Sequence, residues 1–502
     1  MLELFDAVLP IVSLIIFSLL TVPILRLAGK SKHRTAFTVI WFALVFSVAF
    51  ITVGNLASKY YSLPESEGFQ NITLTDVPDS AKDISSTFMI DGVSIYMAII
   101  VTAISAILFL YTIFYIDSSK RPSERYYAIM LILTAALIGA VLSGDLLTLF
   151  IFWEAAAAGA SFLMIYRKTP QSLNATLKYI VMIIIASAFV VFGLSLVYGL
   201  TGTLNFWAVK TALETLSDKT LLVVAFIFIA TGYAIESAIV PFHFWLPDAY
   251  AGSPASSAAF LSALIDQGSY YVLIRVLLFI LTPTGVLNWT IMLAAMAAFT
   301  MIVGNLFALI QDNVKRLIGN VCVADVGYNL VAITSVTSLG ITGNLYFFLI
   351  GGLTTALSFM AIGIINRRGF KSLEDFSGLG WKMPYVSLAL VIAALSFAGV
   401  PPLGGFMAKY LVFTSAIEGG MSWLAVIGVL TSVLQTAYLF RLINYMYARK
   451  PADTTKIKEP MKLIIPIFIL VGALILLGLY PQIVFNLIDP VIKQWGLLYP
   501  IG

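Results

Sequence analysis

The chain has 502 residues, 60% of them hydrophobic and only 11% charged, with a mean hydropathy of +0.98. Soluble domains carry about 25% charged residues, so the composition excludes them and leaves a polytopic membrane protein. The formal charge of +4 includes no basic block suited to nucleic acid, and one cysteine (Cys322) with two histidines (His33 and His243) cannot assemble an iron–sulfur cluster, a disulfide framework or a zinc site.

A bis-histidine haem would need both histidines, and His33 lies in a basic loop far along the chain from His243. No metal or cofactor is therefore expected in this chain, and any redox chemistry belongs to a partner. The first apolar run is long enough to span and no small-residue cleavage site follows it, so a cleavable signal peptide is not expected.

A spanning helix needs roughly 20 mostly apolar residues. In chain order such segments lie near 5–28, 35–57, 92–116, 127–143, 146–166, 173–200, 221–249, 254–282, 287–311, 314–337, 340–365, 384–416, 422–447 and 462–486. The expectation is an all-α integral membrane protein of about fourteen transmembrane helices. Basic residues follow the odd-numbered spans: Arg26, Lys30, Lys32 and Arg34; Lys120, Arg121 and Arg125; Arg167 and Lys168; Lys315 and Arg316; Arg367, Arg368, Lys371 and Lys382; Arg449, Lys450, Lys456 and Lys458. All fall on one side, which the positive-inside rule makes cytoplasmic, with both termini outside. The long outer loop, 59–90, carries Glu65, Glu67, Asp76, Asp79 and Asp83 against Lys59 and Lys82.

Proline interrupts two spans. Span 7 breaks at Pro241 in "GYAIESAIVPFHFWLPDAY", and span 12 at Pro401 and Pro402 in "LSFAGVPPLGGFMAKYLVF". Broken helices at corresponding places in two halves point to inverted repeats with a site at mid-membrane. Proline is also commoner in membrane helices than in soluble ones.

A charge at the bilayer centre costs about 2.5–3.5 kcal/mol on insertion scales. Buried ionisable residues are therefore candidates for function. They are Glu154 on span 5, Lys178 on span 6, Glu236 on span 7, Asp266 on span 8, Asp325 on span 10 and Lys409 on span 12. Lys178 and Lys409 could instead snorkel to an interface, and Asp325 could cap or pair locally. Arg275 reads as a structural partner near a helix end. Ala155 to Ala158 follow Glu154 and suggest close packing, so Glu154 is expected to face another helix rather than lipid. Acids and bases strung across spans are the pattern of a proton relay. His243 and Asp248, just past the first break, could extend a wet path to the inner side.

The stretches "VPFHFWLPDAY", "NVKRLIGNVCVADVGYNL", "AGVPPLGGFMAKY" and "MIDGVSIYMA" resemble the antiporter-like subunits of respiratory complex I. The same family includes the corresponding membrane subunits of multisubunit Na+/H+ antiporters and those of archaeal membrane-bound hydrogenase and sulfane reductase complexes. The resemblance runs in order over nearly the whole chain. It implies fourteen helices with two inverted five-helix repeats, spans 4–8 and 9–13. The chain then divides into 1–125 (spans 1–3 with the outer loop), 126–283 and 284–449 (the repeats), and 450–502 (a loop and the last span).

The resemblance also implies roles. Glu154, Lys178 and Lys409 match the family's glutamate on span 5 and its lysines on spans 6 and 12. The middle departs. Glu236 stands five residues before the proline, where a lysine is usual. Counting back from Arg275 puts Gln267, with Asp266 beside it, at the usual span 8 lysine. On span 11 Gly351 and Thr355 stand at a histidine and a lysine, and Asp325 stands where many members have histidine or glutamine. Central bases are lost and acids gained. Glu154 and Glu236 would then compete for charge, one carrying a proton at neutral pH, or a cation such as Na+ would sit between them.

Two functions compete. The resemblance implies an antiporter-like subunit of a redox-driven ion-pumping complex that would move H+ or Na+, with other membrane subunits and the lipid bilayer as its partners. The alternative is a degenerate, non-conducting scaffold between other subunits, motivated by the missing lysines. A stand-alone solute carrier would need substrate-sized polar clusters, which the spacing does not offer.

Overall fold

A lipid-embedded backbone must satisfy its own polar groups, which favours helix wherever the chain is apolar. The computed structural model describes residues 2–27, 34–63, 70–73, 86–116, 123–216, 220–282, 288–449 and 455–498. Lys30, Lys32, His33, Glu65, Glu67, Asp76, Asp79, Lys82, Asp83, Lys120, Arg121 and Lys450 lie outside the described residues. Twelve described helices are long and apolar enough to cross a membrane. Two further positions, spans 7 and 12, are filled by pairs of shorter helices.

Spans 1 to 6 are Leu4–Leu27, Arg34–Tyr61, Gly92–Tyr115, Ser123–Leu142, Leu146–Met164 and Pro170–Thr201. Sequence explains where they start. Asp91 and Ser94 form a reciprocal cap at span 3, Asp145 caps span 5, and Thr169 with Ser172 caps span 6, which has proline in its first turn. Spans 8 to 11 are Ala255–Ile280, Thr290–Leu309, Val314–Thr334 and Ser338–Asn366; spans 13 and 14 are Ser422–Tyr447 and Met461–Leu479.

Span 7, expected over 221–249 with a break at Pro241, is broken there. It runs as Thr220–Glu236, then a 3-10 turn at Phe242–Phe244, then Trp245–Gly252. Span 12, expected over 384–416, is Pro384–Ala398 followed by Gly404–Glu418. Proline removes a donor and forbids the regular turn. Each break holds a cis peptide bond, Val240–Pro241 and Pro401–Pro402. Side chains recover the freed backbone groups at the first break. Trp245 Nε1 donates to the carbonyl of Ile235 at 3.0 Å, and the Val240 amide donates to Thr300 Oγ1 of span 9 at 3.2 Å.

Three smaller features escape an apolar-run reading. Gln70–Thr73 and Thr87–Ile90 pair as an antiparallel hairpin, anchored where the Thr87 amide donates to Asp145 at 2.7 Å. Phe206–Thr215 is a short helix capped by Asn205. Beyond span 14, Gln482–Leu498 is an amphipathic helix that buries Val484, Ile488, Val491 and Trp495 along one face. Within 455–498 a non-helical stretch, 455–460, is thus followed by a span and a further helix.

The centre of the bundle is spans 8, 10 and 11, whose apolar windows are 100%, 100% and 94% buried, against 33–39% for spans 1, 2, 6, 13 and 14. Span 10 packs on span 9, on the second half of span 7, on span 11 and on the second half of span 12. Its Gly319 allows the approach to span 7: a Cβ there would come within 2.8 Å of Pro247 Cα.

Candidate ion pathway

Glu236 is the last residue of its half-helix and is 5% exposed. The break ends the helix there and leaves the carboxyl facing span 5. Trp153 of span 5 donates its Nε1 proton to Glu236 Oε2. The Glu154 side chain lies within hydrogen-bonding reach of Glu236 and of Ser187 on span 6. One oxygen on each glutamate, Glu154 Oε1 and Glu236 Oε1, has no donor. Glu154 is only partly buried. Ala156 and Ala157 pack inward, but Ala155 and Ala158 are exposed, so the alanine row closes one side of the helix only.

A cavity of about 10 Å³, the room a single water needs, joins Glu236 to Asp266. Its walls include Trp153, Tyr179, Trp245 and Tyr250. Asp266 ends a π-helical turn, Leu261–Asp266, within span 8; such turns often mark functional sites. The Tyr250 hydroxyl lies within reach of the Asp266 carboxyl. It is not aligned well enough to satisfy it, and both Asp266 oxygens have no partner. Asp266 and Asp325 of span 10 interact electrostatically, and Cys322 and Tyr270 sit in the field of both.

Beyond Asp325 the line is hydrogen-bonded. Gln435 of span 13 donates its Nε2 to Asp325 Oδ1 at 3.4 Å and accepts from Lys409 Nζ through Oε1. Lys409 also donates to Ser432 Oγ at 2.9 Å and stands 4.4 Å from the centre of the Tyr328 ring. At 6% exposure it does not snorkel to an interface. The polar groups therefore run through spans 5, 7, 8, 10, 13 and 12.

Span 11 stands outside this line. The Gln267 amide lies against Gly351: a Cβ there would be 2.9 Å from Gln267 Oε1 and 3.2 Å from Nε2. Neither amide atom has a hydrogen-bond partner. Thr355 folds its hydroxyl back onto the carbonyl of Gly352 at 3.2 Å. The helix carries no carboxylate, lysine, arginine or histidine from Ser338 to Asn366.

Other expected residues fall elsewhere. Lys178, half exposed, pairs with Asp248 at 2.6 Å rather than with the acid pair, and Arg316 takes the other Asp248 oxygen at 2.5 Å. The neighbouring Lys315 is buried and donates to the carbonyls of Ser253 at 2.7 Å and Tyr250 at 3.4 Å. The Lys315–Arg316 pair thus grips the side and the end of the second half of span 7. His243 is sandwiched by Phe244 and Phe307, with Nδ1 unpartnered. Arg275 has the structural role expected of it: it makes a bidentate pair with Asp91 at 2.7 and 2.9 Å, both side chains fully buried.

Sequence reasoning passed over Trp153, Ser187, Tyr250 and Gln435. Gln435 carried a readable signal, an amide inside the apolar run "LTSVLQTAYLF". The others carried none, since tryptophan, serine and tyrosine are ordinary in such helices.

Residues 143–435 match the family model described as NADH:quinone oxidoreductase/Mrp antiporter, TM. Subunit N of the F(420)H(2) dehydrogenase of Methanosarcina mazei is 30% identical over 86% of this chain and 89% of its own length. Subunit N of the NADH-quinone oxidoreductase of Desulforamulus reducens is 31% identical over 82% and 86%. Among solved structures, a chain of the archaeal membrane-bound sulfane sulfur reductase is 28% identical, with a TM-score of 0.85 over 97% of both chains. A chain of the Mrp complex from Dietzia sp. has the same fold at 22% identity, TM-score 0.83, over 99% of this chain and 98% of that one.

Proposed function

Because the chain belongs to the NADH:quinone oxidoreductase/Mrp antiporter transmembrane family, we propose that it is an antiporter-like membrane subunit of a redox-driven ion-pumping complex and carries H+ across the middle of the bundle. The single observation behind this reading is the buried line from Glu154 and Glu236 through Asp266 and Asp325 to Gln435 and Lys409. In a dry interior two neighbouring carboxyls do not both hold full charge easily, and a proton shared between Glu154 and Glu236 relieves their repulsion. Redox work in a partner subunit that moves this proton toward Asp266 leaves the pair ready to take another.

H+ suits the line better than Na+. The cavity between Glu236 and Asp266 has room for one water, and three carboxylate oxygens without partners border it. A hard cation favours more oxygen ligands than that. The basic ends of the odd-numbered spans support a cell-membrane orientation with both termini outside. Lys178, Asp248 and Arg316 then lie toward the cytoplasmic side, where they order the second half of span 7 and do not carry the ion.

The test is pumping by the assembled complex, purified through a tag on this chain and reconstituted in vesicles. Glu154→Gln and Lys409→Met should each abolish redox-driven acidification while the complex still assembles. Unchanged pumping would leave the second reading, a non-conducting scaffold. The observation that favours that reading is span 11, which has no carboxylate, lysine, arginine or histidine and has Gly351 closed by Gln267.

A further inference from the structure

Between Glu236 and Asp266 the structure offers one small cavity, walled mainly by side chains that cannot pass a proton. Leu261, Ile265, Ile183 and Ala157 are apolar. Trp153 is committed to Glu236, and Trp245 to the Ile235 carbonyl. The Tyr179 hydroxyl is committed to the Ala157 carbonyl at 2.6 Å. Tyr250 is the exception. It lines the cavity, and its hydroxyl is turned to the doubly unpartnered Asp266 carboxyl without closing a well-aligned bond.

We propose that the Tyr250 hydroxyl is the proton-passing link between Glu236 and Asp266. This rests on the H+-carrying function above. A phenol can donate and accept at one oxygen, which no other uncommitted wall residue can do. The step balances with no other reactant than the water the cavity has room for. Glu236 gives its carboxyl proton to that water, and the water gives one of its own to the phenol oxygen. The phenol gives its proton to Asp266. The Glu236 O–H bond breaks, an Asp266 O–H bond forms, and water and tyrosine end neutral as they began.

The position of this hydroxyl is set from two sides. The Phe359 ring of span 11 meets the Tyr250 ring edge-on at 5.0 Å, and buried Lys315 of span 10 holds the Tyr250 carbonyl. Span 11 therefore acts on the path by aiming a tyrosine, although it has no carboxylate, lysine, arginine or histidine of its own.

The test uses the intact complex in vesicles. Tyr250→Phe keeps the ring and its packing, and proton movement should fall about 100-fold, the low end for a positioned proton-transfer group. Tyr179→Phe, in the same cavity, should leave proton movement intact. Replacing Tyr250 by a fluorinated tyrosine keeps the shape but makes the hydroxyl more acidic, and should move the pH profile of pumping downward, which a packing role would not do. Glu236→Gln is run in parallel. If it stops pumping while Tyr250→Phe pumps normally, the tyrosine link is wrong and the H+ path stands. If Glu236→Gln also pumps normally, the path itself is wrong.

Discussion

Gln267 lies with its amide against Gly351, so that two positions where the family resemblance implies bases, on spans 8 and 11, occupy one space. The two departures from the family pattern are one packing solution. Gly351→His should overpack this contact and cost about 1–3 kcal/mol. Adding Gln267→Ala should return much of that, because the clash is with the far end of a flexible side chain. Thermal unfolding of the purified complex in detergent reads both; equal losses in the single and double variants would mean that the pair is not coupled.

Glu236 and Trp153 form a second matched pair. A lysine at 236 would present a donor to a donor and leave the Trp153 indole N–H unsatisfied, at a cost of about 1–3 kcal/mol. Glu236→Lys alone should therefore lower assembly and should not raise proton movement, even though the family resemblance implies a lysine there. Glu236→Lys with Trp153→Phe should assemble better than the single variant. A strong rise in H+ transport from Glu236→Lys alone would contradict this.

Arg275 and Asp91 are wholly buried, and each depends on the other. Arg275→Met should leave an unpaired buried carboxylate and cost about 3–5 kcal/mol. The double change Asp91→Leu, Arg275→Met should recover most of it. It should keep a residual loss of about 0.5–2 kcal/mol, because Asp91 also caps span 3 through the Ser94 amide at 2.8 Å. Melting temperatures of the three forms check the order.

Outside the spans, Asp375 accepts from the amides of Lys371 and Ser372 at 2.9 and 2.8 Å, and these bonds hold its carboxyl below the usual carboxylate value. Its stabilising contribution is present above the unfolded value of about 3.9 and is lost only as pH falls through the lower folded value. The loop is tied to the start of span 10: Leu373 donates to the Asp312 carbonyl and Val314 to that of Lys371. Amide protection at Lys371 and Ser372 should thus persist from neutral pH into the ordinary carboxylate range. Asp375→Ala should lose it at every pH.

Much of this architecture was legible in the sequence because lipid admits few solutions. Apolar runs gave the membrane class and the fourteen positions, and Pro241, Pro401 and Pro402 marked the two breaks. Glu236, Asp266, Asp325 and Lys409 were legible as buried ionisable residues. What joins them was not, since it depends on side chains from different spans meeting in space. Lys178 read as a relay lysine, and only the approach of Asp248 shows it tied at the basic end. The helices Phe206–Thr215 and Gln482–Leu498 escaped because an amphipathic surface helix is too polar for a spanning window.

Lys315 and Asp325 sit on the same helix, ten residues apart in the numbering. One end of span 10 clasps the backbone of Tyr250, and its middle presents the next carboxyl. A rigid rod cannot turn one without turning the other. A rigid rotation of span 10 would therefore displace the Tyr250 backbone contact and the Asp325 carboxyl together.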